Sequence, residues 1–123
     1  MQSPALRAVI SAIASAIQTL NRDGGNRCVC LGLFTGKPAR YLELLAMEPG
    51  ETGEDFEAHK ASRFQTANGG RAGLQFYVAD RDGEDLDEGG GQFDGYLSNN
   101  AAELPRRTAM RAARDIVETL ANG

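Results

Sequence analysis

The sequence predicts an α+β fold in which an N-terminal helix and a C-terminal helix pack on an antiparallel sheet of about five strands. Apolar residues recur at three- and four-residue steps near both ends of the chain, which is typical of amphipathic helices. The middle of the chain instead contains short apolar runs separated by glycine-bearing turns, which is typical of strands. The length of 123 residues supports a single domain, which we assign to residues 1–123.

The first predicted helix spans residues 4 to 21. Pro4 suits the first helical position, because the N–H that proline lacks has no intrahelical partner there. The polar and glycine-rich run that begins at Asn21 ends the helix. One apolar stripe at helical spacing lies between these limits: Leu6, Val9, Ile10, Ile13, Ile17 and Leu20.

Two strands are predicted next. Residues 27–34 are apolar on both faces, which indicates a central strand covered on both sides, or a strand covered on one side and flanked by a partner. A tight turn at 35–38 then leads to a return strand over residues 40–47. A short helix also fits 40–47, but the tight turn before these residues favours the strand.

The segment 56–67 leaves two interpretations open. Phe56, Lys60 and Phe64 recur at helical spacing, whereas residues 63–67 lead directly into Asn68-Gly69, a hairpin-turn signal that precedes a clear strand at 74–78. We favour the hairpin because of this turn. The acidic residues 48–55, which contain proline and glycine, are predicted to form a loop.

The last third is predicted to contain an acidic, glycine-rich connection at 80–91, a short strand at 93–97 and a helix that opens at Pro105. An apolar stripe runs from Met110 to Leu120 in this helix. We expect its arginine-bearing face to be solvated and to pair with the acidic segments. The arginines are Arg106, Arg107, Arg111 and Arg114.

The charge is concentrated in two acidic blocks, although the formal net charge is only −4. Residues 43–57 carry six acidic and no basic groups, and residues 80–94 carry seven acidic groups and one arginine, so each block has a net charge of −6. The blocks are either solvated loops or one convergent negative surface that meets a basic partner. General nucleic-acid binding is not expected, since it needs a basic footprint.

No motif for catalysis, metal binding or cofactor binding stands out. The acidic run from Asp80 fails the EF-hand spacing, since its sixth residue is Asp85 and its twelfth is Gly91. The glycines 89–91 lie in the most acidic part of the chain, which repels phosphate. His59 lacks a nucleophile elbow, so we interpret it as a structural or solvent-exposed histidine.

The two cysteines, Cys28 and Cys30, are expected to point to the same face of a strand. With one distant histidine and no further cysteine, they do not make a zinc site. We predict that they are buried free thiols, which favours a reducing, cytoplasmic compartment. No apolar stretch is long enough to span a bilayer, so no membrane partner is expected.

The last third of the chain resembles a family of small bacterial immunity proteins, which neutralise deaminase- or nuclease-type polymorphic toxins by binding them. The resemblance rests on the order of the elements and on the strand at 93–97, the loop with Pro105 and the alanine-rich helix 108–118. It covers about a quarter of the chain. In size and acidity the chain also resembles class I type III secretion chaperones, which hold an extended segment of an effector.

These observations predict a non-enzymatic protein-binding module, an acidic immunity-type inhibitor that occludes a cognate toxin or effector with a basic surface. The alternatives are a secretion chaperone, which implies a homodimer, a phage-encoded inhibitor of a host defence system, and a ligand-binding or enzymatic domain that uses the sheet face near Cys28 and Cys30. No catalytic residue, metal ligand or cofactor is predicted. The predicted contact residues are Glu51, Glu54, Asp55, Asp82, Asp85 and Asp87, with Phe93 and Tyr96 as aromatic anchors.

Overall fold

The computed structural model describes residues 4–21, 27–34, 39–48, 50–60, 72–98 and 104–122. The elements in chain order are α1 (Pro4–Asn21), β1 (Cys28–Phe34), β2 (Arg40–Met47), α2 (Gly53–His59), β3 (Ala72–Ala79), β4 (Asp85–Leu97) and α3 (Arg106–Asn122). The predicted α+β class, with an N-terminal and a C-terminal helix on an antiparallel sheet, is confirmed.

The described strands form a sheet in the order β1-β2-β3-β4, and each neighbouring pair is antiparallel. The predicted strand at 63–67 and the Asn68-Gly69 turn lie outside the described residues. Within the described part of the chain β1 pairs with β2 and is covered by the helices on one face, which agrees with the predicted alternative of a strand covered on one side. Its apolar composition is explained by the cover on one face, where Val29 and Leu31 pack against the core.

Helices α1 and α3 cover one face of the sheet and enclose the core. Alternate residues of β2 and β3, such as Leu42, Leu44, Leu74 and Phe76, point to this face and are at most 1 % exposed. The helices contribute a stripe of aliphatic and alanine side chains, and small residues on α3 allow α1 to approach closely. The buried helix residues include Ile10, Ile13, Ile17, Leu20, Ala109, Ala112, Ala113 and Ile116.

Arg106 joins the two covering helices and does not pair with an acidic segment. Its guanidinium donates to the Ser15 hydroxyl and the Gln18 side-chain oxygen, both at 2.9 Å, and to the Ser11 hydroxyl at 2.8 Å. The expectation that the arginine face of α3 pairs with the acidic segments is therefore wrong for Arg106. The guanidinium of Arg106, at the start of α3, presents several N–H donors, and their acceptors lie on adjacent turns of α1.

Helix α2 begins inside the segment that was predicted to be a loop and a hairpin. Thr52 is the N-cap: its hydroxyl accepts from the Asp55 N–H at 3.1 Å, and the Asp55 carboxylate accepts from the Thr52 N–H at 3.2 Å. This capping box stabilises the first turn. The hairpin interpretation is wrong for residues 56–59, where the helical spacing of Phe56 is the correct signal.

Strand β4 begins at Asp85, so the predicted connection 80–91 and the predicted short strand 93–97 need correction. The turn is only 80–84, because the Asp80 carboxylate accepts from the N–H groups of Asp82 and Glu84 at 2.9 and 3.0 Å. Between Ala79↔Asp85 and Tyr77↔Gly90 the register shifts, and residues 86–89 bulge from the ladder.

Candidate functional site

We call the face of the sheet opposite α1 and α3 the open face. In the described part of the chain it carries Cys30, Glu43 and Tyr77 together with the buried Leu45 and Ala79. The register places Cys30 opposite Glu43 on β1 and β2, and Glu43 opposite Tyr77 on β2 and β3. Tyr77 in turn pairs with Gly90 on β4. These side chains share one face because successive strand residues alternate between faces.

Glu51 lies inside the fold, at the end of β2 that finishes with Met47. Its carboxylate forms an ion pair with the guanidinium of Arg27, and the two side chains are only 7 % and 2 % exposed. Arg27 also donates to the Ala46 carbonyl at 3.1 Å, and its guanidinium lies 5.1 Å from the ring centre of Phe56. This cluster therefore attaches α2 to the sheet.

Glu54 and Asp55 follow in the first turn of α2, and both are exposed. The hydrogen bond from the Thr52 backbone lowers the pKa of Asp55, and the Thr52 hydroxyl lowers it further. Asp55 thus has a local role in the helix cap, whereas Glu54 offers an exposed carboxylate.

The remaining predicted acidic contacts, Asp82, Asp85 and Asp87, are exposed at the β3–β4 hairpin. The Asp85 carboxylate accepts from the Asp87 N–H at 2.8 Å. Asp87 has a φ of 56°, a left-handed conformation that aspartate tolerates better than most residues. The bulge thus presents two neighbouring carboxylates to solvent.

The two predicted acidic segments leave the sheet at opposite ends. Tyr41 pairs with Ala79 at the end that carries the 80–84 turn, and Met47 pairs with Gly73 at the end that leads to Glu51. Six residue steps along β2, from Tyr41 to Met47, separate these ends, which corresponds to about 20 Å. The segments therefore do not meet through their loops.

Carboxylates from both blocks nevertheless act on Tyr77, which lies between the two ends. Burial raises the pKa of Tyr77 to about 12, and the charges of Glu43 and Asp85, with a smaller effect of Glu57, raise it as well. The Tyr77 hydroxyl donates to the Gly83 carbonyl at 3.3 Å, which holds the side chain under the turn. The carboxylates therefore disfavour a negative charge at Tyr77, whereas at Glu43, whose pKa is raised by burial, the charge of Lys60 lowers the pKa.

Glu43 and Tyr77 were missed as candidate site residues. Glu43 lies between the buried residues Leu42 and Leu44. The alternation of apolar and polar residues in β2 is the signal that places Glu43 on the face of the sheet that points away from the core. On β3, Tyr77 follows the buried Phe76, so the same alternation places Tyr77 on the face that points away from the core. The acidic blocks were instead interpreted by net charge, which carries no information on the face of a strand.

Phe93 and Tyr96 are half-buried on the helix side. The ring centres of Phe76 and Phe93 are 5.6 Å apart, and those of Phe93 and Tyr96 are 6.3 Å apart. The Tyr96 hydroxyl donates to the Thr108 carbonyl at 2.5 Å. The two aromatic residues thus join β4 to α3, away from the open face.

Both cysteines are free and share one face, as predicted, but the expectation that both are buried is wrong. Cys28 is half-buried and Cys30 is exposed, because the helices cover the other face. Partial burial raises the pKa of Cys30 to about 11, together with the charge of Glu43 and a hydrogen bond to it. Burial also raises the pKa of Glu43 and that of Cys28.

Replacing Glu43 by glutamine is expected to speed alkylation of Cys30, because loss of the neighbouring charge lowers the pKa of the thiol. Each unit of pKa gives about tenfold more thiolate at about pH 8.5. The rate is measured with iodoacetamide in a Cys28→Ser background. Glu118→Gln, on the exposed side of α3, is the control that keeps the original rate. Equal rates for the Glu43→Gln variant and its parent would contradict the assigned contact.

A cleft of about 490 Å³ lies along β3 and β4. The lining residues are Tyr77, Asp85, Asp87 and the glycines 89–91, together with Phe76 and the two glutamines Gln75 and Gln92. Among the described residues, no cluster of three His, Cys, Asp or Glu side chains is arranged to hold a metal ion.

The comparisons with known proteins give no relative. The chain matches no family model, no curated protein and no solved structure. Within the described part of the chain, no helix is both long and apolar enough to cross a bilayer.

Proposed function

We propose that this chain is a non-enzymatic binding module of the cytoplasm that holds a cognate toxin or effector through an acidic surface and blocks its activity. The observation that carries the proposal is the difference between the two faces of the sheet. One face is filled by two helices, and the open face presents Glu43 beside the exposed carboxylates of the β3–β4 hairpin. A surface of this kind complements a basic partner.

The contact surface that we propose is narrower than the predicted set of residues. Glu51 is used in the buried ion pair with Arg27, and Phe93 and Tyr96 are packed between β4 and α3. The exposed carboxylates of Glu54, Asp82, Asp85 and Asp87 are free of such roles in the core. We assign partner contact to these four and to the open face between them.

Neutralising the hairpin end is expected to slow association with the partner. The partner is identified by affinity capture and then purified separately, and its activity is measured with and without this chain. In the Asp82→Asn/Asp85→Asn variant the association rate at low salt should fall about tenfold, and the dependence of that rate on salt should become weaker. Stopped-flow mixing at several salt concentrations measures both effects.

The matched control is Asp115→Asn/Glu118→Gln, which removes the same amount of charge from the exposed side of α3. This control should associate at the original rate, because its charges lie in the helix layer. Equal slowing in both double variants would show that net charge alone matters and would contradict the proposed surface. A captured partner that keeps full activity when saturated with this chain would contradict inhibition.

A further inference from the structure

Three consecutive glycines, 89–91, line the cleft beside β4. Gly90 and Gly91 are exposed and carry no side chain over the ladder, so the main chain of β4 forms one wall. A Cβ at Gly90 would lie 2.6 Å from the Phe76 carbonyl oxygen, and one at Gly91 would lie 2.9 Å from the Phe76 ring. This close approach of β4 to β3 excludes larger residues at both positions. Gly90 pairs with Tyr77 and faces the side of the cleft that carries this ring, whereas Gly91 pairs with Phe76 and faces the core side.

The other walls of the cleft carry an aromatic ring and two carboxylates. Tyr77 is half-buried, and its hydroxyl is fixed by the Gly83 carbonyl. Asp85 and Asp87 lie at the bulge and are held to each other by the Asp87 N–H. The amides of Gln75 and Gln92 add neutral hydrogen-bonding groups. An aromatic ring beside carboxylates is a typical site for an organic cation.

Charges outside the cleft strengthen the negative potential inside it. Glu43 approaches the hairpin turn, where its Oε1 lies 3.7 Å from the position of a Cβ on Gly83. The nearby cation Arg40 forms an ion pair with Glu88 at 2.5 Å, and Glu88 does not line the cleft. The lining therefore favours a positively charged hydrogen-bond donor over an anion or an apolar group.

We propose that this cleft binds one cationic side chain, a guanidinium of the protein partner, between Tyr77 and the carboxylates of Asp85 and Asp87. The planar guanidinium presents several donors at once and stacks on an aromatic ring, which suits this combination of groups. The volume lies in the range of about 300–1,000 Å³ that is usual for specific ligand sites. The inference rests on the proposed function, since the guanidinium belongs to the partner.

The test uses N-acetyl-arginine amide as the probe and N-acetyl-citrulline amide as its neutral isostere. Each is titrated into the isotopically labelled chain, and amide chemical shifts are followed by NMR. We expect saturable shifts at Tyr77, at the glycines 89–91 and at Gln92 with the arginine probe, and at least about fivefold weaker binding of the citrulline probe. Equal binding of both probes would overturn the proposal.

The Asp85→Asn/Asp87→Asn variant should bind the arginine probe at least about fivefold more weakly. Asparagine is chosen because it keeps the acceptor oxygens and tolerates the left-handed backbone at position 87. The control is again Asp115→Asn/Glu118→Gln, which should leave the affinity unchanged. Shifts spread over all acidic surfaces, or equal affinity in both variants, would overturn the cleft as the site.

These results separate the inference from the proposed function. If the arginine probe fails while the Asp82→Asn/Asp85→Asn variant still slows association with the partner, only the guanidinium site is overturned. If the probe binds in the cleft and the Asp82→Asn/Asp85→Asn variant associates with the partner at an unchanged rate, the proposed surface is overturned, and with it the assignment of the guanidinium to the partner.

Discussion

Replacing Glu51 by alanine is expected to lower the free energy of unfolding by about 3–5 kcal/mol. The guanidinium of Arg27 is almost completely buried, and removal of Glu51 leaves this charge without its carboxylate. The Nε of Arg27 has no hydrogen-bond partner in the described structure, so after removal of Glu51 the contacts left to the guanidinium are the neutral Ala46 carbonyl and the Phe56 ring. Urea unfolding followed by circular dichroism measures the change.

Two further variants make the Glu51 prediction specific. Glu54→Ala removes an exposed carboxylate three residues away and should change the free energy of unfolding by less than about 0.5 kcal/mol. Arg27→Met/Glu51→Leu replaces the pair by apolar groups and should recover much of the stability lost in Glu51→Ala. A Glu51→Ala variant as stable as the parent would show that the buried pair does not hold α2.

Replacing Gly90 by alanine is expected to lower the free energy of unfolding by about 1–3 kcal/mol. The new Cβ would lie 2.6 Å from the carbonyl oxygen of Phe76, which is backbone and part of the β3–β4 ladder. The strands must separate locally to relieve this overlap. Thermal and urea unfolding of the variant give the magnitude.

Double-mutant cycles with Phe76→Leu distinguish the backbone contact of Gly90 from the side-chain contact of Gly91. The Cβ of Gly91→Ala would meet the Phe76 ring at 2.9 Å, so a smaller side chain at position 76 relieves the overlap. We expect a favourable coupling between Gly91→Ala and Phe76→Leu, and none between Gly90→Ala and Phe76→Leu. A similar coupling for both glycines would contradict the assigned backbone contact.

Helices α1 and α3 and strand β2 were predictable from the sequence because burial on one side leaves a periodic pattern. α1 shows apolar residues at helical spacing from Leu6 to Leu20, and its bounds, Pro4–Asn21, agree with the prediction. β2 agrees as well, at Arg40–Met47. In both elements the spacing of the apolar residues and the flanking turn residues indicate the same type of element with the same bounds.

The start of β4 and the short helix α2 were not predictable in this way. Asp85 to Gly91 contains acidic residues and glycines, which are rare in strands, and the strand forms because its backbone approaches β3 closely. α2 has only seven residues, and Phe56 is its one buried side chain, so the apolar residues show no helical repeat. The helix depends on this ring and on its capping box. Tertiary contacts decide both elements.

Only the exposure of the proposed contact residues can be compared with the prediction, and it agrees for some of them. The acidic residues of the hairpin, including Asp85 and Asp87, are exposed as a contact surface requires. Glu51 has the same charge but a buried position, because Arg27, distant in sequence, lies beside it. Net charge along the chain does not distinguish a carboxylate that pairs inside the fold from one that faces solvent.

The length of β2 has a consequence for the shape of any partner. The two ends of β2, Tyr41 and Met47, lie about 20 Å apart, so the hairpin carboxylates beyond one end and Glu54 beyond the other form two separate anchor points for the proposed partner. A partner that engages both needs two positive patches at the same spacing, and this spacing fixes its orientation on the sheet. Substitutions at the two ends should then act additively on affinity, because the ends are too far apart to couple.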